Sequence, residues 1–130
     1  MPATVLIADD EPHMLRLIEF TFRKGGYDLV LARNGREAVD LARVHLPGLV
    51  VLDMQMPEMD GLTALKTLKA DPITAAIPVI LLSARGHLMT RESAQQAGLA
   101  DVFIKPFSPS QLLSRVQAIL AAPTPTPGPA

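Results

Sequence analysis

The sequence predicts an α/β protein in which five parallel strands, each followed by a helix, build one doubly wound (βα)5 sheet. Three observations carry this prediction. Five short apolar runs recur along the 130 residues: "TVLIA" (4–8), "YDLVLA" (27–32), "LVVLD" (49–53), "PVILLS" (78–83) and "DVFIK" (101–105). Several are near-continuously apolar rather than alternating, which is the pattern of strands covered on both faces. Longer stretches with apolar residues at helical spacing lie between them, as crossovers between parallel strands require.

Each element carries its own signals. Met14, Ile18 and Phe22 stripe the first helix, and Gly25-Gly26 stands just past its end, where a left-handed residue is wanted. Asn34 with Glu37 three residues on reads as a capping box for the second helix, striped by Ala38, Leu41, Ala42 and Leu46. Pro57 and Asp60-Gly61 keep the next connection short, and Leu62, Leu65 and Leu68 stripe the third helix. The stretch 88–97 has Ala and Gln where Leu is expected and is the weakest helix of the set, with Gly98 closing it. Ser108, Pro109 and Gln111 supply a cap, a first-turn proline and a box partner for the last helix, whose apolar residues are Leu112, Leu113, Val116, Ile119 and Leu120. The tail "APTPTPGPA" cannot continue as helix or strand. A domain over 1–121 is therefore expected, with 122–130 a Pro-rich tail or truncated linker.

Composition narrows the function. The chain is 48% hydrophobic but only 4% aromatic, with no Trp, so its core must be aliphatic. A net charge of −1 and the lack of a basic stripe or Lys/Arg-rich run argue against direct nucleic-acid or membrane binding. With no cysteine, disulfides, thiolate metal sites and Cys nucleophiles are out. Every apolar run is far short of the roughly 20 residues that cross a bilayer. "MPATVLIADDEP" puts acids where a signal peptide needs a basic start. A cytoplasmic protein is expected.

The chemistry sits at the strand ends. The first strand ends in Asp9-Asp10, the third in Asp53, the fourth in Ser83 and the fifth in Lys105. In a doubly wound sheet these ends meet at one crevice. Three carboxylates there repel one another unless a hard divalent cation relieves them, and Mg²⁺ suits carboxylate, carbonyl and water donors. A lysine beside the acids suits a ligand more negative than the cation neutralises, such as a phosphoryl group. A carboxylate is then the nucleophile, giving an aspartyl phosphate. Asp53 is the central candidate, and Gln55 could turn a backbone carbonyl toward the metal. His13, His45 and His87 are scattered and read as solvated, while the Met-rich "DMQMPEM" reads as loop packing.

The pieces "VLIADDEP", "VVLDMQMPEMDG", "PVILLSA" and "IKPF", in this order, resemble the receiver domain of two-component response regulators, a flavodoxin-like fold. The intervals also match: 43 residues from Asp10 to Asp53, 30 from Asp53 to Ser83 and 22 from Ser83 to Lys105. The resemblance implies a phosphorylation-activated signalling switch, not an enzyme beyond assisting its own phosphorylation and dephosphorylation. Asp53 would take a phosphoryl group from a sensor histidine kinase or phosphotransfer protein. Asp10 would be a direct ligand of Mg²⁺ (Mn²⁺ as a substitute), Asp9 a ligand through water, and the Gln55 carbonyl a further ligand. Ser83 would meet the phosphoryl oxygen, Lys105 would pair with it, and Lys105-Pro106 would be cis. A phosphorylation-dependent dimer and an output partner, as a domain beyond residue 130 or a docking protein, belong to the same implication.

One position departs from the pattern. The family often places a switch aromatic three residues before the lysine, and Val102 stands there, with Phe103 one place later. Activation is therefore expected to run through Ser83 and the loop after it, with Gly86 as hinge and the 88–97 helix as the moving surface. Two rival readings are weaker. A small aspartyl-phosphate phosphohydrolase wants a second acid two residues after the nucleophile, where Gln55 stands. A nucleotide or flavin binder wants a Gly- or Ser/Thr-rich loop after the first strand, where "DDEP" stands.

Overall fold

The computed structural model describes residues 3–83 and 96–121. Five strands form one sheet: β1 (Thr4–Ala8), β2 (Asp28–Ala32), β3 (Leu49–Asp53), β4 (Val79–Ser83) and β5 (Asp101–Ile104). Among the described residues the helices are α1 (Pro12–Lys24), α2 (Gly35–His45), α3 (Gly61–Ala70) and α4 (Pro109–Ala121). Every strand pair is parallel, in the order β2-β1-β3-β4-β5. The order reverses between β1 and β3, and a crevice opens beyond their carboxyl ends. Residues 88–95 of the expected 88–97 helix, the Gly86 hinge, His87 and the 122–130 tail lie outside the described residues.

The continuous runs are explained by two cores. Leu6, Ala8, Val50, Leu52, Val79 and Leu81 face the side covered by α2 and α3. Val5, Ile7, Leu49, Val51, Ile80 and Leu82 face the side covered by α1 and α4. The period-2 alternation of a strand persists, but both faces are apolar, so the sequence reads as unbroken hydrophobicity. The outer strands are only half buried: β2 begins exposed and β5 ends exposed at Ile104.

Two helix stripes shift from their expected positions. On α1 the buried set is Leu15, Ile18 and Phe22, while Met14 sits at the edge of the same cluster. On α2 it is Ala38, Val39 and Ala42, with Leu41 partly buried. Leu46 is not on the stripe. It is the left-handed C-cap (φ 47°), more than half exposed, and its N–H closes on the Ala42 carbonyl at 2.9 Å. Pro47 follows and has no N–H to continue the ladder. The caps expected at Asn34 and Ser108 are present, with the Glu37 N–H at 2.8 Å from Asn34 Oδ1 and the Gln111 N–H at 3.4 Å from Ser108 Oγ. Gly26 and Gly98 take positive φ, as expected.

The α3–β4 connection is held from below. Lys69 Nζ donates to the carbonyls of Ala75 (3.0 Å) and Ile77 (2.9 Å), and burial lowers its pKa. The buried Thr74 hydroxyl donates to the Leu68 carbonyl at 2.7 Å. These bonds set the start of β4 and hence the level at which Ser83 ends it. Among the described residues no helix is long and apolar enough to cross a membrane.

Candidate functional site

Strand register brings the expected residues together. Ala8 pairs with Leu52, so Asp9 and Asp53 leave β1 and β3 side by side. Asp53 pairs with Leu82, one residue before Ser83, and Ser83 pairs with Ile104, one residue before Lys105. One oxygen from each of Asp9, Asp10 and Asp53 can be chosen so that all three lie within 4.8 Å of one another. Asp9, Asp53 and Ser83 are buried, whereas Asp10 and Gln55 are exposed at the mouth. The Lys105–Pro106 bond is cis.

Lys105 ties the cluster. Its Nζ donates to Asp53 Oδ2 at 3.0 Å and stands 3.5 Å from Asp9 Oδ2. Burial alone would lower the lysine's pKa, but the hydrogen bond and charge of Asp53, with Asp9 behind it, outweigh burial and raise it. Asp9 is pushed up to about 6, first by burial. The Glu11 N–H on its Oδ1 at 2.9 Å opposes the rise, the Asp53 charge adds to it, and Lys105 opposes it.

Among the described residues one ammonium faces three carboxylates, so two negative charges remain uncompensated there. Asp9 Oδ2 is fully buried and has no hydrogen-bond partner among the described residues, an uncommon state for a carboxylate oxygen. A hard, oxygen-seeking divalent cation answers both facts, and the donor set contains nothing softer than oxygen. The residues present fit a Mg²⁺-type ion.

The loop after β3 is shaped by features the sequence does not announce. The Gln55 N–H points back to Asp53 Oδ1 at 3.3 Å. Met54 is pinned at both ends of its peptide, its N–H to the Leu82 carbonyl (2.8 Å) and its carbonyl to the Gly61 N–H (3.0 Å). Its sulfur lies 3.9 Å from Ser83 Oγ. Glu58 takes a left-handed φ of 66° to turn the chain. Asp60, expected as a turn residue, caps α3 through the Thr63 N–H at 2.7 Å. Gly61 is needed for space, because a Cβ there would stand 2.3 Å from the Asp53 carbonyl oxygen. Gly35 meets the loop from α2 in the same way, its N–H on the Met59 carbonyl at 3.0 Å. "DG" and "NG" are legible as helix starts, but their closeness to a distant carbonyl is not.

Comparison with known proteins agrees with this layout. The family model of the response regulator receiver domain matches residues 5–117. This chain belongs to that family. It is 32% identical over 120 residues to the alkaline phosphatase synthesis transcriptional regulatory protein PhoP of Bacillus subtilis, covering 92% of this chain and 49% of that one. It is 35% identical over 128 residues to the response regulator MprA of Mycolicibacterium vanbaalenii, covering 98% and 54%. The receiver chain thus spans about half the length of the curated relatives it matches. Among solved structures, the receiver domain of the sensor histidine kinase PA1611 of Pseudomonas aeruginosa superposes with a TM-score of 0.83 at 28% identity, covering 94% of this chain and 100% of that one. That structure holds a magnesium ion in its active-site cleft.

Val102 and Phe103 fall on opposite faces of β5, as alternation demands. Val102 packs with the α2/α3 core and Phe103 with the α1/α4 core, where its ring meets Phe107 edge-on at 6.1 Å. The position of the usual switch aromatic therefore holds a stiff, half-buried valine.

Proposed function

We propose that this receiver is switched by phosphorylation of Asp53. The observation that carries the reading is Lys105 Nζ at 3.0 Å from Asp53 Oδ2, within a cluster whose three carboxylates outnumber its one cation. Asp53 Oδ2 is the oxygen that would attack the phosphoryl group, and the lysine's hydrogen bond holds it in place. As the phosphoryl group transfers, Lys105 would shift from the carboxylate to a phosphoryl oxygen, and the Ser83 hydroxyl would donate to another. Asp10, Asp53 and the Gln55 carbonyl, with Asp9 behind them, would hold Mg²⁺ or Mn²⁺. That ion would neutralise charge on the phosphoryl oxygens. Gln55 carries no acid to activate water, so the state should persist as a signal rather than turn over as a hydrolase would.

The donor would be a sensor histidine kinase or phosphotransfer protein. The output would lie in a docking partner, a phosphorylation-dependent dimer, or a domain following residue 130. Residues 1–121 would be the receiver unit and 122–130 a linker or tail. The test is incubation with an acyl phosphate and Mg²⁺ followed by intact-mass measurement. One phosphoryl group, removed by hydroxylamine and lost in Asp53→Asn, is the expected result. Stable phosphorylation of Asp53→Asn at the wild-type rate would reject Asp53 as acceptor.

A further inference from the structure

Three methionines follow Asp53 within six residues, and one of them touches the reactive centre. Met54 Sδ accepts from Ser83 Oγ at 3.9 Å, a weak contact because a thioether is a poor acceptor. Met54 is partly exposed and lines, with Asp10 and Gln55, an open cleft of about 660 Å³. Met56 is buried. The Met54 main chain is held at both its N–H and its carbonyl, so the side chain cannot leave with the backbone.

We propose that Met54 is an oxidation site that switches off phosphoryl acceptance. This rests on the reading of Asp53 as the phosphoacceptor. The oxidant is hydrogen peroxide or another two-electron peroxide. The O–O bond breaks, one oxygen bonds to sulfur as the sulfur gives up two electrons, and the other oxygen leaves as water with both hydrogens. The product replaces a soft apolar sulfur with a polar sulfoxide, reversible by methionine sulfoxide reductase. An oxygen on that sulfur stands within ordinary hydrogen-bond reach of Ser83 Oγ and accepts far more strongly than the thioether. The hydroxyl then donates to the sulfoxide instead of to an incoming phosphoryl oxygen. The added bulk also narrows the cleft beside Asp10.

The experiment oxidises the full chain with hydrogen peroxide, maps the modified sulfur by peptide mass, and measures the initial rate of phosphorylation by an acyl phosphate with Mg²⁺. Each variant is compared with its own untreated sample. Sulfoxide should form at Met54 before Met56, and the wild-type rate should fall on the order of a hundredfold, the scale on which losing one preorganised donor slows a reaction. Methionine sulfoxide reductase should restore the rate. Met54→Leu should keep its rate through the same treatment, while Met56→Leu with Met59→Leu should lose it as wild type does. An unchanged rate with Met54 fully oxidised, or equal inactivation of Met54→Leu, overturns the proposal while leaving Asp53 as acceptor. Failure of untreated wild type to take any phosphoryl group would instead reject the underlying reading.

Discussion

Lys105 and Asp53, 52 residues apart in sequence, are joined by a 3.0 Å hydrogen bond at the mouth of the sheet. The bond closes the carboxyl end of β3 against that of β5 across the whole width of β4. It also gives Asp53 its one ion-pair partner among the described residues. Replacing Lys105 with Met keeps much of the stem's packing and removes the charge. Two buried carboxylates, Asp9 and Asp53, then face each other without a cation. In metal-free buffer Lys105→Met should cost about 1–3 kcal/mol, the penalty for a buried polar group stripped of its partner. Urea denaturation reads this directly. Mg²⁺ should recover more stability in the variant than in wild type, since it then supplies the missing positive charge.

Asp9 makes stability fall as pH rises. Its folded pKa is about 6 against an ordinary 3.8, so the folded state holds a proton that the unfolded chain has released. The stabilising contribution is complete below 3.8 and is lost as pH rises through 6. At about 1.4 kcal/mol for each pKa unit, the whole effect is roughly 3 kcal/mol at most, since Lys105 and Asp53 share it. Asp9→Asn in metal-free buffer should therefore be more stable than wild type at pH 7.5, with the difference gone by about pH 4. Parallel stability curves for the two proteins across that range would place the strain elsewhere.

Metal binding should be visible as stability. A ligand bound only by the folded chain adds about 2.7 kcal/mol at a hundredfold excess over its Kd. Wild type should gain on that scale with Mg²⁺, and K⁺ at matched ionic strength should not reproduce it. Asp10 is exposed, and its removal relieves repulsion, so Asp10→Ala should fold with no loss while its response to Mg²⁺ shrinks. A thermal midpoint that rises equally in both proteins would mean that the ion sits away from the three acids.

The parts legible in the sequence are those in which one residue's chemistry decides its place. β1, β3 and β4 stand out because both their faces are buried, and Asp9, Asp53, Ser83 and Lys105 stand out because polar groups end apolar strands. Edges were harder. Leu46 has an apolar side chain at helical spacing yet caps α2 in a left-handed turn, because Pro47 ends the ladder one residue on. Met14 and Leu15 compete for the same stripe, and the packed helix buries Leu15 and leaves Met14 at the edge. Met54 reads as loop packing until β4 brings Ser83 to its sulfur.

Gly61 shows most clearly what a contact distant in sequence adds. It opens α3, and in an exposed helix alanine is favoured over glycine by about 1 kcal/mol. Local propensity thus says that Gly61→Ala should stabilise. The structure says the reverse. The new Cβ would stand 2.3 Å from the Asp53 carbonyl oxygen and 2.9 Å from Met54 Cα, both main-chain atoms that cannot rotate away. Either α3 backs off and strains the 3.0 Å bond from the Gly61 N–H to the Met54 carbonyl, or the end of β3 moves and carries Asp53 with it. Overpacking of this kind costs about 1–3 kcal/mol, enough to outweigh the propensity gain. Gly61→Ala should therefore be less stable in urea and slower to take a phosphoryl group. Gly48→Ala is the control. Its Cβ meets Leu120 Cδ2, the far end of a side chain rather than main chain, at 3.3 Å, before β3 begins and away from the acids. It should leave phosphorylation unchanged. A Gly61→Ala protein as stable and as fast as wild type would show that β3 and α3 are not packed against each other as tightly as the 2.3 Å approach requires.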